Sequence, residues 1–223
     1  MRQMIEKANT KLAVMSKAIE VSGVASSYQL RIGDLIHGIQ SLITNRLVDL
    51  IVMGTSSRSQ FEEFVVGSNT EKVVRHLGCP VLTVHQPPSK GDLKNIVYAS
   101  SLNDSEREFS EVVKHTQALY NATIHLVRIN TPMNFTSDNE VKPRMEKFAR
   151  KLHLTNYTVN VYNDVTEEEG IIRFANSINA DLVALATHGR TGLARLLAGS
   201  IAEDVANHSQ RPVLTQVTNF KKV

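Results

Sequence analysis

Two periodicities divide the chain. Apolar positions near helical spacing mark helices over residues 5–21, 36–44, 68–76, 105–122, 138–152, 170–178 and 200–208. In the fourth of these, Phe109, Val112, Val113, Leu119 and Tyr120 form the apolar stripe. Short apolar or alternating runs mark strands over residues 27–31, 49–53, 80–84, 95–99, 123–129, 157–162, 181–186 and 212–217. From residue 95 onward the two kinds alternate. That order predicts right-handed crossovers and an α/β fold, a parallel sheet with helices on both faces.

The pattern also repeats. Residues 49–83 align without a gap to residues 181–215, and thirteen of the 35 positions are identical. Gly38-Ile39 and Gly170-Ile171 keep the same phase. A spacing of 132 residues is a whole domain, so this is a tandem duplication and not a short-period solenoid. Residues 86–91 have linker composition. The expected domains are 1–88, an incomplete copy, and 92–223, a complete one. The first copy has no counterpart of residues 92–132, which carry the first strand, first helix and second strand. It should be unstable alone and lean on the second copy or on another chain.

Composition narrows the function classes. The 223 residues include 25 Lys and Arg against 22 Asp and Glu, a net charge of +3. An excess that small and dispersed argues against a nucleic-acid partner. Five Tyr, seven Phe and no Trp are too few for a base-stacking platform. The lone Cys79 excludes an intramolecular disulfide or a thiolate metal cluster and reads as packing beside a strand. No run of 18 apolar residues occurs, and the N-terminus lacks a signal-peptide core, so a cytoplasmic protein with no membrane partner is expected. The eight histidines show no metal-binding spacing, and no metal site is expected. His76 and His208 fall at helix C-termini, where they suit the dipole. Glu167, Glu168 and Glu169 suit a helix first turn.

Ligands of open α/β sheets bind beyond the carboxyl ends of the strands. In the second copy, Thr187-His188-Gly189-Arg190-Thr191-Gly192 follows a strand, and Gly199-Ser200 opens a helix. Glycines permit close backbone approach, and free N–H groups at a helix start favour an anion. The same residues admit a purely structural reading. Ser200-x-x-Glu203 and Ser68-x-x-Glu71 have capping-box spacing, which closes a helix without a ligand. The two readings are compatible.

The run Asp-Leu, an aliphatic stretch, Thr-x-x-Arg, Gly-Ser, Glu-x-Val and Pro-Val-Leu, present in both copies, resembles the universal stress protein family. The resemblance implies a doubly wound open parallel sheet of order 3-2-1-4-5 in the second copy, an incomplete version of it in the first, and either ATP binding or a non-nucleotide branch. The family motif is G-x2-G-x9-G-[ST], preceded by an Asp at the end of the first strand. Here Ala186, Gly189, Gly199 and Ser200 occupy the motif, and Ser101 stands at the Asp position with Asp104 three residues on. The implied nucleotide-binding residues are Ala99, Ser100, Ser101, Ile129, Leu185, Ala186, Gly189, Arg190, Gly199, Ser200 and Ile201. In the first copy the motif degenerates to Gly54, Ser57, Gly67 and Ser68. Residues 55–66 carry Arg58 against Glu62 and Glu63, whereas residues 187–198 carry Arg190 and Arg195 with no acid. A triphosphate is repelled by the first loop and attracted by the second. Arg190 and Arg195 also read as solvated loop cations.

Three functions follow: an ATP-binding stress protein with little or no turnover, a ligand-independent dimerising or partner-binding module, and a weak ATPase for which no base or metal ligand is evident. The resemblance also implies pairing through the last strands, 80–84 and 212–217, inside the chain or in a homodimer.

Overall fold

A computed structural model describes residues 1–45, 48–54, 68–85, 92–188 and 198–218. The chain divides into two compact units, 1–42 and 43–223.

The first unit holds helix α1 (Arg2–Val21) and most of α2 (Leu35–Asn45). Ser16 is buried in α1, and its hydroxyl donates to Ser26 Oγ at 2.9 Å. The strand expected over residues 27–31 does not form. A strand exists only through a partner's hydrogen bonds. In the order 3-2-1-4-5 the third strand pairs with the second, and no strand stands beside residues 27–31 among the described residues.

The second unit is a seven-stranded sheet of order β1-β2-β7-β6-β3-β4-β5. Its strands are β1 (Ile51–Gly54), β2 (Val81–Val84), β3 (Asn95–Ala99), β4 (Thr123–Asn130), β5 (Tyr157–Asn163), β6 (Leu182–His188) and β7 (Val213–Thr218). The helices are α3 (Ser68–His76), α4 (Arg107–Tyr120), α5 (Asp138–Lys151), α6 (Glu167–Ser177) and α7 (Ala198–His208). The five strands of the second copy run β5-β4-β3-β6-β7, which is 3-2-1-4-5, all parallel. The period-2 alternation of strands explains the two cores. Ile96, Tyr98, Ile124, Leu126 and Leu182 face Phe109, Val113, Met145 and Phe148 on one side. Val97, Val127, Ile129, Val183 and Leu185 face Ile171, Phe174 and Val205 on the other.

The first copy's two strands do not form a sheet of their own. β2 pairs antiparallel with β7, placing Leu82 opposite Leu214, its own counterpart in the repeat. A pseudo-two-fold axis therefore passes between these two leucines. The same symmetry relates Thr83 Oγ1 donating to Val213 O (3.3 Å) and Thr215 Oγ1 donating to Val81 O (3.4 Å). It also relates Arg75 on Glu203 to Asn207 on Glu71. Each last strand has neighbours on both sides, so a homodimer through those edges has no free edge to use.

Several local expectations change. The helix expected over 105–122 starts as a 3₁₀ turn (Asp104–Glu106) and ends where Asn121 adopts φ +49°. α7 begins at Ala198, and the Glu203 carboxylate of the expected capping box binds the Arg75 guanidinium through both oxygens; the Ser200 side chain lies outside the described residues. His208 Nδ1 faces Glu168 Oε1 at 2.5 Å instead of its helix end, while His76 Nδ1 does meet the Lys72 carbonyl at 2.9 Å. Cys79 is buried and its thiol faces Val48 O at 3.5 Å; burial, then the Asp49 charge, pushes its pKa up and keeps it an unreactive thiol. Among the described residues no helix is long and apolar enough to cross a membrane.

Candidate functional site

The sheet changes direction of growth at β3, which has β4 on one side and β6 on the other. Beyond the carboxyl ends of these three strands lies a cleft of about 130 Å³. Its apolar wall comes from the strand ends (Ala99, Val127, Ile129, Leu185, Ala186) and from two helices that pack on them (Ile171 of α6; Ile201 and Ala202 of α7). Its polar lining is Ser100, Ser101, Arg128 and Glu167.

The β3 end is shaped by one buried acid. After Ala99 the chain turns through Leu102 (φ +61°) into the 3₁₀ turn, whose N-cap Asn103 accepts from Ser105 N–H at 3.0 Å. This turn directs Glu106 back beneath the strand end, where it is 1% exposed. The Glu106 carboxylate accepts from Tyr98 O–H (3.0 Å), Ser100 O–H (2.7 Å), Ser101 N–H (3.1 Å), Ser101 O–H (2.7 Å) and Asn103 N–H (3.4 Å). A buried carboxylate needs such donors to replace its hydration. Burial first, then the Glu106 charge and hydrogen bond, push the Tyr98 phenol well above its ordinary range, so it stays a donor. Asp104, the acid nearest Ser101 in the aligned sequence, instead pairs with Lys151 at 2.6 Å on the surface.

The far wall is equally fixed. Thr166 caps α6 by accepting from Glu169 N–H at 3.2 Å, and the acidic first turn falls where expected. Glu167 accepts from Asn134 Nδ2 at 2.5 Å, and Asn134 Oδ1 in turn accepts from Thr131 N–H at 2.9 Å. α6 lies close on β4 because Gly170 has no Cβ: an ideal one would stand 2.5 Å from Ile129 Cγ2. Arg128 has no ion-pair partner among the described residues.

Seven of the sequence-derived site residues line this cleft: Ala99, Ser100, Ser101, Ile129, Leu185, Ala186 and Ile201. Gly199 and Ser200 lie in the first turn of α7. Gly189 and Arg190 fall outside the described residues, as does Arg195. In the first copy Gly54 ends β1 and Ser68 begins α3, while Ser57 and Gly67 fall outside. Arg128 and Glu106 escaped the sequence reading. Asn103-x-x-Glu106 has capping-box spacing and was the available signal for Glu106.

Comparison with known proteins gives the chain's relations. The model described as the universal stress protein family matches residues 2–85 and 93–215. A universal stress protein of Synechocystis is 21% identical over 216 residues, 94% of this chain and 72% of that protein. A second, from Methanocaldococcus jannaschii, is 37% identical over 75 residues, and the match spans 34% of this chain and 41% of that protein. Among solved structures, a universal stress protein from Archaeoglobus fulgidus superposes with a TM-score of 0.78 at 20% identity, covering 97% of this chain and 80% of that one.

Proposed function

Because the chain belongs to the universal stress protein family, we propose that the cleft at the ends of β3, β4 and β6 binds an adenine nucleotide, ATP in the first instance, and does not turn it over. The position of the cleft, at the switch point of a parallel sheet, carries this reading. Its apolar wall suits a base. Arg128 is a cation at the cleft without a partner among the described residues, and Ile201 of the first turn of α7 lines it. At about 130 Å³ it is smaller than the roughly 300–1,000 Å³ of common ligand sites, so a whole ATP would extend beyond the lining described. Turnover would need a free base. Glu106 and Glu167, the carboxylates at the cleft, are both held by hydrogen bonds to the protein.

The β3 and β4 walls come from residues 92–132, to which no first-copy residues of this sequence align. ATP should bind once per chain. Equilibrium dialysis of the full chain with labelled ATP measures this. Two sites, or none at millimolar ATP, overturn the reading, as does unchanged affinity in Gly199→Val, where a branched side chain obstructs backbone approach.

A further inference from the structure

Ser101 occupies the cleft position where the family motif carries an acid, and its hydroxyl is not free to choose a partner. A hydroxyl has one proton and two lone pairs. The Ser101 proton is directed at Glu106 Oε1, 2.7 Å away. Glu106 Oε1 also receives the backbone N–H groups of Ser101 (3.1 Å) and Asn103 (3.4 Å), which hold that oxygen as an acceptor. Neighbouring Ser100 is held in the same way, donating to Glu106 Oε2 at 2.7 Å, but it also accepts from Leu102 N–H at 2.9 Å. Ser101 Oγ has no such second partner among the described residues and lines the cleft with lone pairs unused.

We infer that Glu106 is a positioning residue that fixes Ser101 as a hydrogen-bond acceptor toward the cleft, so that the site selects a nucleotide by a donor group placed there. This deepens, and rests on, the nucleotide reading above. The donor is a ribose hydroxyl or the adenine amino group. A ligand that offers an acceptor at that point meets lone pair against lone pair and leaves Ser101 unpaired.

Calorimetric titration of the full chain with ATP, 2′-deoxy-ATP, 3′-deoxy-ATP and purine riboside triphosphate identifies the group, since each analogue lacks one donor. The analogue lacking the donor that meets Ser101 should bind about five- to tenfold more weakly than ATP, the effect of one neutral hydrogen bond. In Ser101→Ala that difference should vanish. In Glu106→Gln it should persist, because the amide oxygen keeps the two backbone N–H groups and Ser101, while the NH₂ turns to the Tyr98 and Ser100 hydroxyls, which can accept. In Glu106→Ala the Ser101 hydroxyl can turn to donate or to accept, so the difference should shrink. Equal affinity of the wild-type chain for all four ligands, or discrimination that survives Ser101→Ala, overturns the acceptor assignment, and discrimination undiminished in Glu106→Ala overturns the positioning role, while either leaves the nucleotide site intact. Failure of the wild-type chain to bind ATP at millimolar concentration overturns both. Should Glu106→Ala not fold, Ser101→Ala, altered at an exposed side chain, decides the acceptor assignment.

Discussion

Gly170→Ala and Gly38→Ala change the same residue at equivalent positions of the two repeats and should move stability in opposite directions. At Gly170 an ideal Cβ would stand 2.5 Å from Ile129 Cγ2, 3.1 Å from Asp164 Cβ and 3.3 Å from Ile129 Cδ1. The nearest atom is a branch methyl of a buried strand residue, which cannot swing away without leaving its rotamer or moving β4. Ordinary carbon contacts lie at about 3.5–4.0 Å, so the overlap is about 1 Å and belongs at the upper end of the roughly 1–3 kcal/mol cost of overpacking. Alanine regains about 1 kcal/mol of helix propensity over glycine. The net expectation for Gly170→Ala is a loss of about 2 kcal/mol. At Gly38 the nearest atom to an ideal Cβ is Arg31 Cδ at 3.8 Å, an ordinary contact, so Gly38→Ala should gain about 0.5–1 kcal/mol. The difference has a structural origin: Ile129 of β4 packs on Gly170, whereas only the Arg31 side chain comes within 4 Å of an ideal Cβ at Gly38 among the described residues. Urea unfolding followed by circular dichroism, with hydrogen exchange to localise the effect, measures both. Ile129→Ala removes two of the three crowding atoms, and the pair Gly170→Ala/Ile129→Ala should cost about 1–2 kcal/mol less than the sum of the single changes. A rise in stability on Gly170→Ala, or a loss of the same size on Gly38→Ala, refutes the reasoning.

Arg75→Ala strips the buried Glu203 of its partner and should cost about 2–3 kcal/mol, because the carboxylate stays desolvated. Asn207→Ala removes the symmetry-related but long 3.4 Å bond from an uncharged amide to Glu71 and should cost less than about 1 kcal/mol; equal losses in denaturant unfolding would contradict the asymmetry. The Asp204 carboxyl is raised above its ordinary 3.8, by burial first and then by the Glu168 charge, with His208 opposing and Glu203 and Glu71 adding. The folded chain thus holds this proton more firmly than the unfolded one, so the contribution of Asp204 is most favourable below pH 3.8 and is lost as pH rises through the raised value. Asp204→Asn should abolish that part of the pH dependence, and an unchanged stability–pH curve would refute it.

Much of the architecture is legible in residue order. Alternating strand and helix periods from residue 95 onward give the five parallel strands, and the resemblance gives their order. What escaped depends on partners distant in sequence. The alternating run at 27–31 looks like its counterparts, yet a strand also needs a neighbour, and none pairs with it among the described residues. Glu203 sits at capping spacing, but nothing in that spacing reveals that its carboxylate meets a guanidinium 128 residues away in sequence. The 132-residue offset reveals the duplication without showing that Leu82 meets Leu214. At the cleft, the motif located the walls. Glu106 is not legible in the sequence because its importance comes from a turn that folds it beneath β3, not from its distance along the chain to Ser101.

The antiparallel seam between β2 and β7 also constrains how the molecule assembles. Its hydrogen bonds join residues 130 to 134 positions apart. A ribosome adding about 5–20 residues per second needs roughly ten seconds to travel that distance. Throughout that interval β2 presents an unpaired backbone edge on the nascent chain, a template for unwanted association. The same late strand closes the second repeat against β6, so two folding events wait on one segment. Nascent chains halted before residue 213 should therefore be the vulnerable species, and high contact order makes this seam slow to close even afterward.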